Sequence, residues 1–145
     1  MRVEVKKLSE TAVLPLRGSK QAAGYDLCAD IKEPLSIAPG ATVKVETGLA
    51  FAIPEGYFGG IFARSGLSTK KGLRPANCTG VIDSDYRGPI IVALHNDSGE
   101  ARVVEPGERI AQLIVLPYLA VEFDEVAELD ETERGEGGFG STGRK

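Results

Sequence analysis

Backbone-turning groups recur at short intervals along this chain: Pro39-Gly40, Pro54-Glu55-Gly56, Gly59-Gly60, Gly88-Pro89, Asn96-Asp97-Ser98-Gly99, Pro106-Gly107 and Pro117. Proline lacks the N–H that a helix interior uses, while glycine, asparagine and aspartate reach the dihedrals of tight turns. Long helices have no room between such breaks. What remains is a series of short runs: VEV at 3–5, TVKVE at 42–46, GLAFAI at 48–53, PIIVAL at 89–94, IAQLIVL at 110–116 and VEF at 121–123. Period-two alternation marks strands with one face in a core, and the unbroken runs PIIVAL and IAQLIVL read as buried strands. Short strands parted by Gly/Pro turns predict an all-β barrel or sandwich. The one helical segment expected is SGLSTKKG, with Ser65 as cap and Gly72 as stop.

The chain has 145 residues, enough for one core that removes roughly two-thirds of the unfolded surface from water. MRVEVKKLSE at the start has no apolar run, so no signal peptide is expected, and no stretch reaches the ~18 apolar residues of a membrane span. Cys28 and Cys78 form no CxxC motif, and two idle thiols suit a reducing, cytoplasmic address. The net charge of −4 comes from the C-terminal end. Residues 124–145 hold seven acids against three bases, which leaves fourteen of each in the first 123. A body of balanced charge is not built to hold polymeric nucleic acid, and the acidic run reads as a solvated connector.

Five stretches could carry chemistry. RGEGGFGSTG at 134–143 contains G-x-G-x-x-G at Gly135, Gly137 and Gly140, but too few residues follow for the helix a dinucleotide fold requires. Its glycine amides, Arg134, and the hydroxyls of Ser141 and Thr142 can still wrap phosphate oxygens. ARSGLSTKKG at 63–72 offers the Arg64 fork, and Ser65 with the following amides at a helix start. Ala63 occupies the first glycine slot of a nucleophile elbow, so serine catalysis is a poor reading. GVIDSDYRG at 80–88 reads as a β-hairpin whose Asp83 and Asp85 are either a solvated tip or a carboxylate base beside the Tyr86 ring. AGYDL at 23–27 supplies Asp26 as a partner for a hard cation. GERIAQL at 107–113 sets the amide of Gln112 in an apolar strand, where it must find partners. The single histidine, His95, lies outside all five and reads as structural.

Taken together, AGYDL, RSGLS, GVIDSDYRG, GERIAQL and RGEGGFGSTG resemble, in order and spacing, the five motifs of the homotrimeric dUTP pyrophosphatase (dUTPase) family, from Ala23 to Gly143. Three positions depart from the family pattern: Ala63 replaces a common proline, Ser68 a usual alanine, and Pro89 a frequent acid. The resemblance implies a jelly-roll-like β-barrel with one short helix, residues 1–123, followed by an acidic connector and flexible Gly-rich arm, 124–145. It also implies a homotrimer whose active sites are shared. The first, second and fourth motifs come from one chain, the third from a neighbour, and the fifth from the third chain.

By the same resemblance, Asp83 is the base that activates a water for in-line attack on the α-phosphorus of dUTP, giving dUMP and pyrophosphate. This limits uracil incorporation into DNA and supplies dUMP for dTMP synthesis. Asp26 holds Mg²⁺ through water. Arg64, Ser65, Gly66 and Gln112 contact the phosphates, Arg134, Ser141 and Thr142 grip the γ-phosphate, and Phe139 stacks on the base beside Gly140. The backbone of Gly80, Val81 and Ile82, with the Asn77 amide, reads the uracil edge, and Tyr86 packs under the deoxyribose. There are two alternatives. One is a dCTP deaminase or bifunctional relative on the same fold, which needs a carboxylate placed to deaminate cytosine where GVIDSDYRG with Tyr86 fits the dUTP pattern. The other is a module that keeps the nucleotide site to sense dUTP.

Overall fold

The structure is a computed structural model and describes residues 1–138. Twelve strands and one helix follow in order: β1 (Glu4–Lys7), β2 (Leu16–Arg17), β3 (Tyr25–Cys28), β4 (Leu35–Ile37), β5 (Thr42–Glu46), β6 (Leu49–Ala52), β7 (Tyr57–Phe62), α1 (Ser65–Lys71), β8 (Leu73–Pro75), β9 (Thr79–Ile82), β10 (Ile91–Asn96), β11 (Arg102–Val104) and β12 (Arg109–Pro117). The largest sheet runs β2-β3-β12-β7-β9, faced by β5-β10-β8 and the pairs β1-β6 and β11-β4. All pairings are antiparallel. This is the all-β architecture that the turn spacing predicts and the jelly roll that the motif resemblance implies. No helix among the described residues is long and apolar enough to cross a membrane.

Leu27, Ile37, Val45, Leu49, Leu94 and Ile110 are fully buried and come from six different strands. The core is therefore closed by long-range pairing rather than by any local segment. PIIVAL was expected to be buried on both faces, yet β10 alternates: Val92, Leu94 and Asn96 point inward while Ile91 is 43% exposed. An antiparallel sheet needs only one face in the core, and its apolar outer residues are left over for other contacts. VEF at 121–123 forms no strand, and Val121 and Phe123 are exposed, because the chain leaves the sheet after Pro117.

The helix begins with Arg64 as its N-cap, without a side-chain capping bond, and Ser65 is its first residue rather than its cap. It ends as expected, with Gly72 in the left-handed region at φ 69°. Cys28 is buried, but Cys78 is exposed.

Asn96 is the largest polar side chain with no exposure at all, and every one of its side-chain polar atoms is used. Its Nδ2 donates to the carbonyls of Ile37 (2.9 Å) and Glu100 (2.8 Å), and its Oδ1 accepts from the amide and hydroxyl of Ser98 (2.9 and 2.7 Å). Truncation would strand these partners away from water. Asn96→Ala is expected to lower unfolding free energy by roughly 2–4 kcal/mol, measured by denaturant titration at matched protein concentration.

Candidate active site

Cross-strand register creates the first half of the site. On β12, Gln112 stands opposite Asp26 of β3 on one side and Phe62 of β7 on the other. Residues 86 positions apart thereby become neighbours. The chain leaves β7 immediately beyond Phe62 and enters α1, which delivers Arg64, Ser65 and Gly66 to the same rim. A cleft of about 380 Å³ results, lined by Asp26, Arg64, Ser65, Gly66, Lys70 and Gln112 among others.

Asp26 is the centre of its electrostatics. Arg64 Nε donates to Oδ1 at 2.8 Å and Arg109 Nη1 to Oδ2 at 3.0 Å, while Arg64 Nη1 reaches the Arg109 carbonyl at 3.3 Å. One carboxylate holding two guanidinium groups leaves a net positive rim suited to a polyanion. Gln112 Nε2 donates to the Ala63 carbonyl at 2.9 Å, so the amide has the partner its burial requires. Its Oε1 presses on Gly24, where any Cβ would collide with it. The glycine of AGYDL is thus the slot for the glutamine of GERIAQL.

Two neighbours tune the charge. Burial alone would push the Glu108 carboxyl up, but the Lys71 ammonium (2.9 Å) and the Glu105 amide hold it below the ordinary carboxylate range. Burial, then the Asp26 charge, raises the Cys28 thiol against the pull of Arg109 and Arg64, so it remains a neutral thiol. Arg109 was not among the residues expected at the site. Its signal lay inside GERIAQL, but which of that motif's side chains faces Asp26 depends on a register shift between Arg109 and Ala111.

The second half lies elsewhere on the chain. The 80–88 segment is not the hairpin its sequence suggested. β9 pairs with β7, the residues from Asp83 to Tyr86 form a turn (Tyr86 N to Asp83 O, 3.2 Å), and the chain then crosses to β10 in the other sheet. β9 is consequently an edge strand, and Asp83 follows directly on it. Asp83 and Asp85 line a separate open hollow of about 930 Å³ with Val81, Phe58, Arg87 and Tyr118. The Tyr86 ring lies over Gly88, where a Cβ would strike it, and its hydroxyl donates to the Pro89 carbonyl at 3.1 Å. The Asn77 amide stands against Gly80.

Counting strands along the Asp26–Gln112–Phe62–Thr79 row and residues down β9 places Asp83 roughly 20 Å from Asp26 at ordinary strand spacings. One chain brings Asp26, Arg64, Ser65, Gly66 and Gln112 together, and does not bring Asp83, Asn77 or Tyr86 to them. Arg134 is in a local turn, its Nε donating to the Gly137 carbonyl at 2.9 Å. Phe139, Gly140, Ser141 and Thr142 lie outside the described residues.

A jelly roll that pairs a guanidinium-rimmed anion cleft with a carboxylate beside an edge strand defines a β-barrel protein built to handle phosphorylated small molecules. The dUTPase family model matches residues 10–143, and the chain belongs to that family. It is 49% identical over 146 residues to the deoxyuridine 5'-triphosphate nucleotidohydrolase of Hydrogenobaculum sp., covering all of both chains. Among solved structures it resembles the Staphylococcus bacteriophage 80alpha dUTPase with dUPNHPP (TM-score 0.85, 34% identity, 98% of both chains). It also resembles a mutant dUTPase from phage phi11 of S. aureus that shows the coordination of a structural Mg(II) ion (TM-score 0.79, 29% identity, 88% of this chain and 98% of that one).

Proposed function

We propose that this chain hydrolyses dUTP to dUMP and pyrophosphate in a homotrimer, at sites shared between subunits, with Asp83 as the base. The observation that carries the reading is the edge position of β9 beside Asp83. An edge strand presents a fixed row of unpaired peptide donors and acceptors. Gly80, Val81 and Ile82, with the Asn77 amide, offer such a row to uracil, and Asp83 follows where the strand stops. Reading the base therefore fixes the sugar, against Tyr86, and the α-phosphorus beside the carboxylate. Asp83 takes a proton from water, the water oxygen bonds to the α-phosphorus, and the bond to the α,β-bridging oxygen breaks, so that pyrophosphate leaves.

The phosphates lie in the Asp26–Arg64–Gln112 cleft of a neighbouring chain, with Ser65 and Gly66 at the helix start. Two facts support sharing. The halves are too far apart on one chain for one triphosphate, and the segment beyond the last strand carries Leu119 and Phe123 about nine-tenths exposed, as a segment meant for another surface would. On this reading the barrel spans 1–123, and 124–145 is an arm that carries Arg134, Phe139, Gly140, Ser141 and Thr142 to a third chain's nucleotide.

Mg²⁺ fits the donor set. No three acidic, histidine or cysteine side chains cluster among the described residues, and Asp26 has each oxygen engaged by a guanidinium. Such a carboxylate suits contact through water with an ion held mainly by substrate phosphates. When bound, the ion offsets triphosphate charge. Gly24→Ala drives the Gln112 amide out of its slot and is expected to weaken dUPNHPP binding about tenfold, by calorimetric titration, with little change in melting temperature.

The reading is tested by offering dUTP, dCTP, dTTP and UTP side by side, with and without Mg²⁺. Pyrophosphate should be released from dUTP, with dCTP disfavoured by roughly 10⁴ because its amino group leaves peptide atoms unpaired. Ammonia released from dCTP, or tight dUTP binding without turnover, would replace the proposal by a deaminase or a sensor.

A further inference from the structure

Behind the turn that carries Asn77 lies a line of polar side chains that belongs to none of the five motif stretches. Thr42 on β5, His95 on β10 and Arg74 on β8 are cross-strand neighbours in a single row. Residues so paired project on one face. Thr42 Oγ1 lies 2.9 Å from His95 Nδ1, and His95 Nε2 lies 3.3 Å from Asp97 Oδ1. Asp97 in turn receives two bonds from Arg74, Nε to Oδ2 at 2.6 Å and Nη2 to Oδ1 at 3.1 Å.

That fork leaves Arg74 Nη1 aimed at the turn of residues 75–78. It donates to the carbonyls of Pro75 (3.2 Å) and Ala76 (3.4 Å) and lies 3.8 Å from Cys78 Sγ. The turn is demanding. Cys78 sits at φ 61°, the one non-glycine residue described in the left-handed region, with its amide bonded to the Pro75 carbonyl at 3.1 Å. Such a conformation persists when surrounding structure over-determines it. Asn77 is exposed, and its Nδ2 would stand 3.4 Å from a Cβ at Gly80, beside the peptide row of β9.

We propose that Arg74 is a positioning residue for base recognition: oriented by Asp97, it clasps the 75–78 turn and thereby fixes the Asn77 amide over Gly80. The inference rests on the reading of Asn77 as a uracil contact. Lysine cannot take this place, because one ammonium cannot span both carboxylate oxygens and two carbonyls at once. His95 and Thr42 are the buttress that keeps Asp97 aligned, which gives the single histidine a place in the scheme without chemistry.

The test is a double-mutant cycle on full-length protein, with steady-state kinetics on dUTP and dCTP. Arg74→Ala and Asn77→Ala are each expected to raise KM for dUTP about tenfold and to lower the preference for dUTP over dCTP, with kcat nearly kept. Adding Arg74→Ala to Asn77→Ala should change neither quantity further, since the arginine acts through the amide. Effects that multiply in the double variant, or a fall in kcat and melting temperature with KM unmoved, would overturn the inference as a merely structural role. If Asn77→Ala raises KM and Arg74→Ala does not, the inference fails while the reading of Asn77 stands. If Asn77→Ala is silent, both fail. Should Arg74→Ala not fold, Asp97→Asn frees the fork while keeping its side chain, and Arg74→Lys must fail to restore KM.

Discussion

Asp83→Asn is expected to bind dUPNHPP as the unaltered chain does while its turnover of dUTP falls by roughly 10²–10⁴, the range that removing a general base produces. The substitution keeps size and polarity, and Asp83's side chain holds nothing else in place among the described hydrogen bonds, so the fold has no reason to respond. The β9 peptide row, Asn77 and Tyr86 remain, and with them the groups proposed to read the base. What disappears, on the proposed mechanism, is the proton acceptor. Asp85 lines the same hollow, so Asp85→Asn is the control and should leave turnover nearly intact, while His95 is occupied with Thr42 and Asp97 in another sheet. A calorimetric Kd alongside the single-turnover rate separates the outcomes. Near-normal hydrolysis would remove Asp83 from the mechanism, whereas lost binding would make it a substrate contact.

The sequence singled out Asp26, Arg64, Ser65, Gly66 and Gln112, which the fold gathers in one cleft, but it did not show their arrangement. AGYDL and GERIAQL announce an acid and a buried amide, but nothing local says that Asp26 and Gln112 face each other. That fact belongs to antiparallel register, which the core enforces because a one-residue slip would turn Leu27 and Leu113 outward. The place of Arg109 beside Asp26 is hidden in GERIAQL for the same reason, since a register irregularity decides its direction. GVIDSDYRG misled as a hairpin because Ser84 and Asp85 are good turn residues. They do turn the chain, but out of the sheet, and β7 had already taken the strand's one partner edge. VEF has the alternation of a strand and no neighbour to pair with in one chain. Propensity proposes a strand, and a partner is needed to make one.

Mixing two disabled chains should restore activity that neither has alone. On the proposed mechanism Asp26→Asn weakens the phosphate half and Asp83→Asn the base half, and each variant alone is expected to be nearly inactive. If every site draws Asp26 from one subunit and Asp83 from its neighbour, an equal mixture, unfolded and reassembled together, contains sites with both wild-type residues. They arise wherever an Asp83→Asn chain supplies the cleft and an Asp26→Asn chain supplies the turn. Random assembly places this arrangement at about a quarter of all sites, so about a quarter of the wild-type rate should return. Sites built within one chain would give none, because each chain carries its own lesion. Mixing the separately folded variants without unfolding them is the control, and it should recover activity only as fast as subunits exchange. The roughly 20 Å that separates Asp26 from Asp83 along the β3-β12-β7-β9 sheet cannot shrink without undoing the pairing that makes the barrel. If Asp26 and Asp83 serve one nucleotide, as proposed, a chain with this register needs shared sites to bring them together, and a mixture that stayed inactive after reassembly would rule such sites out.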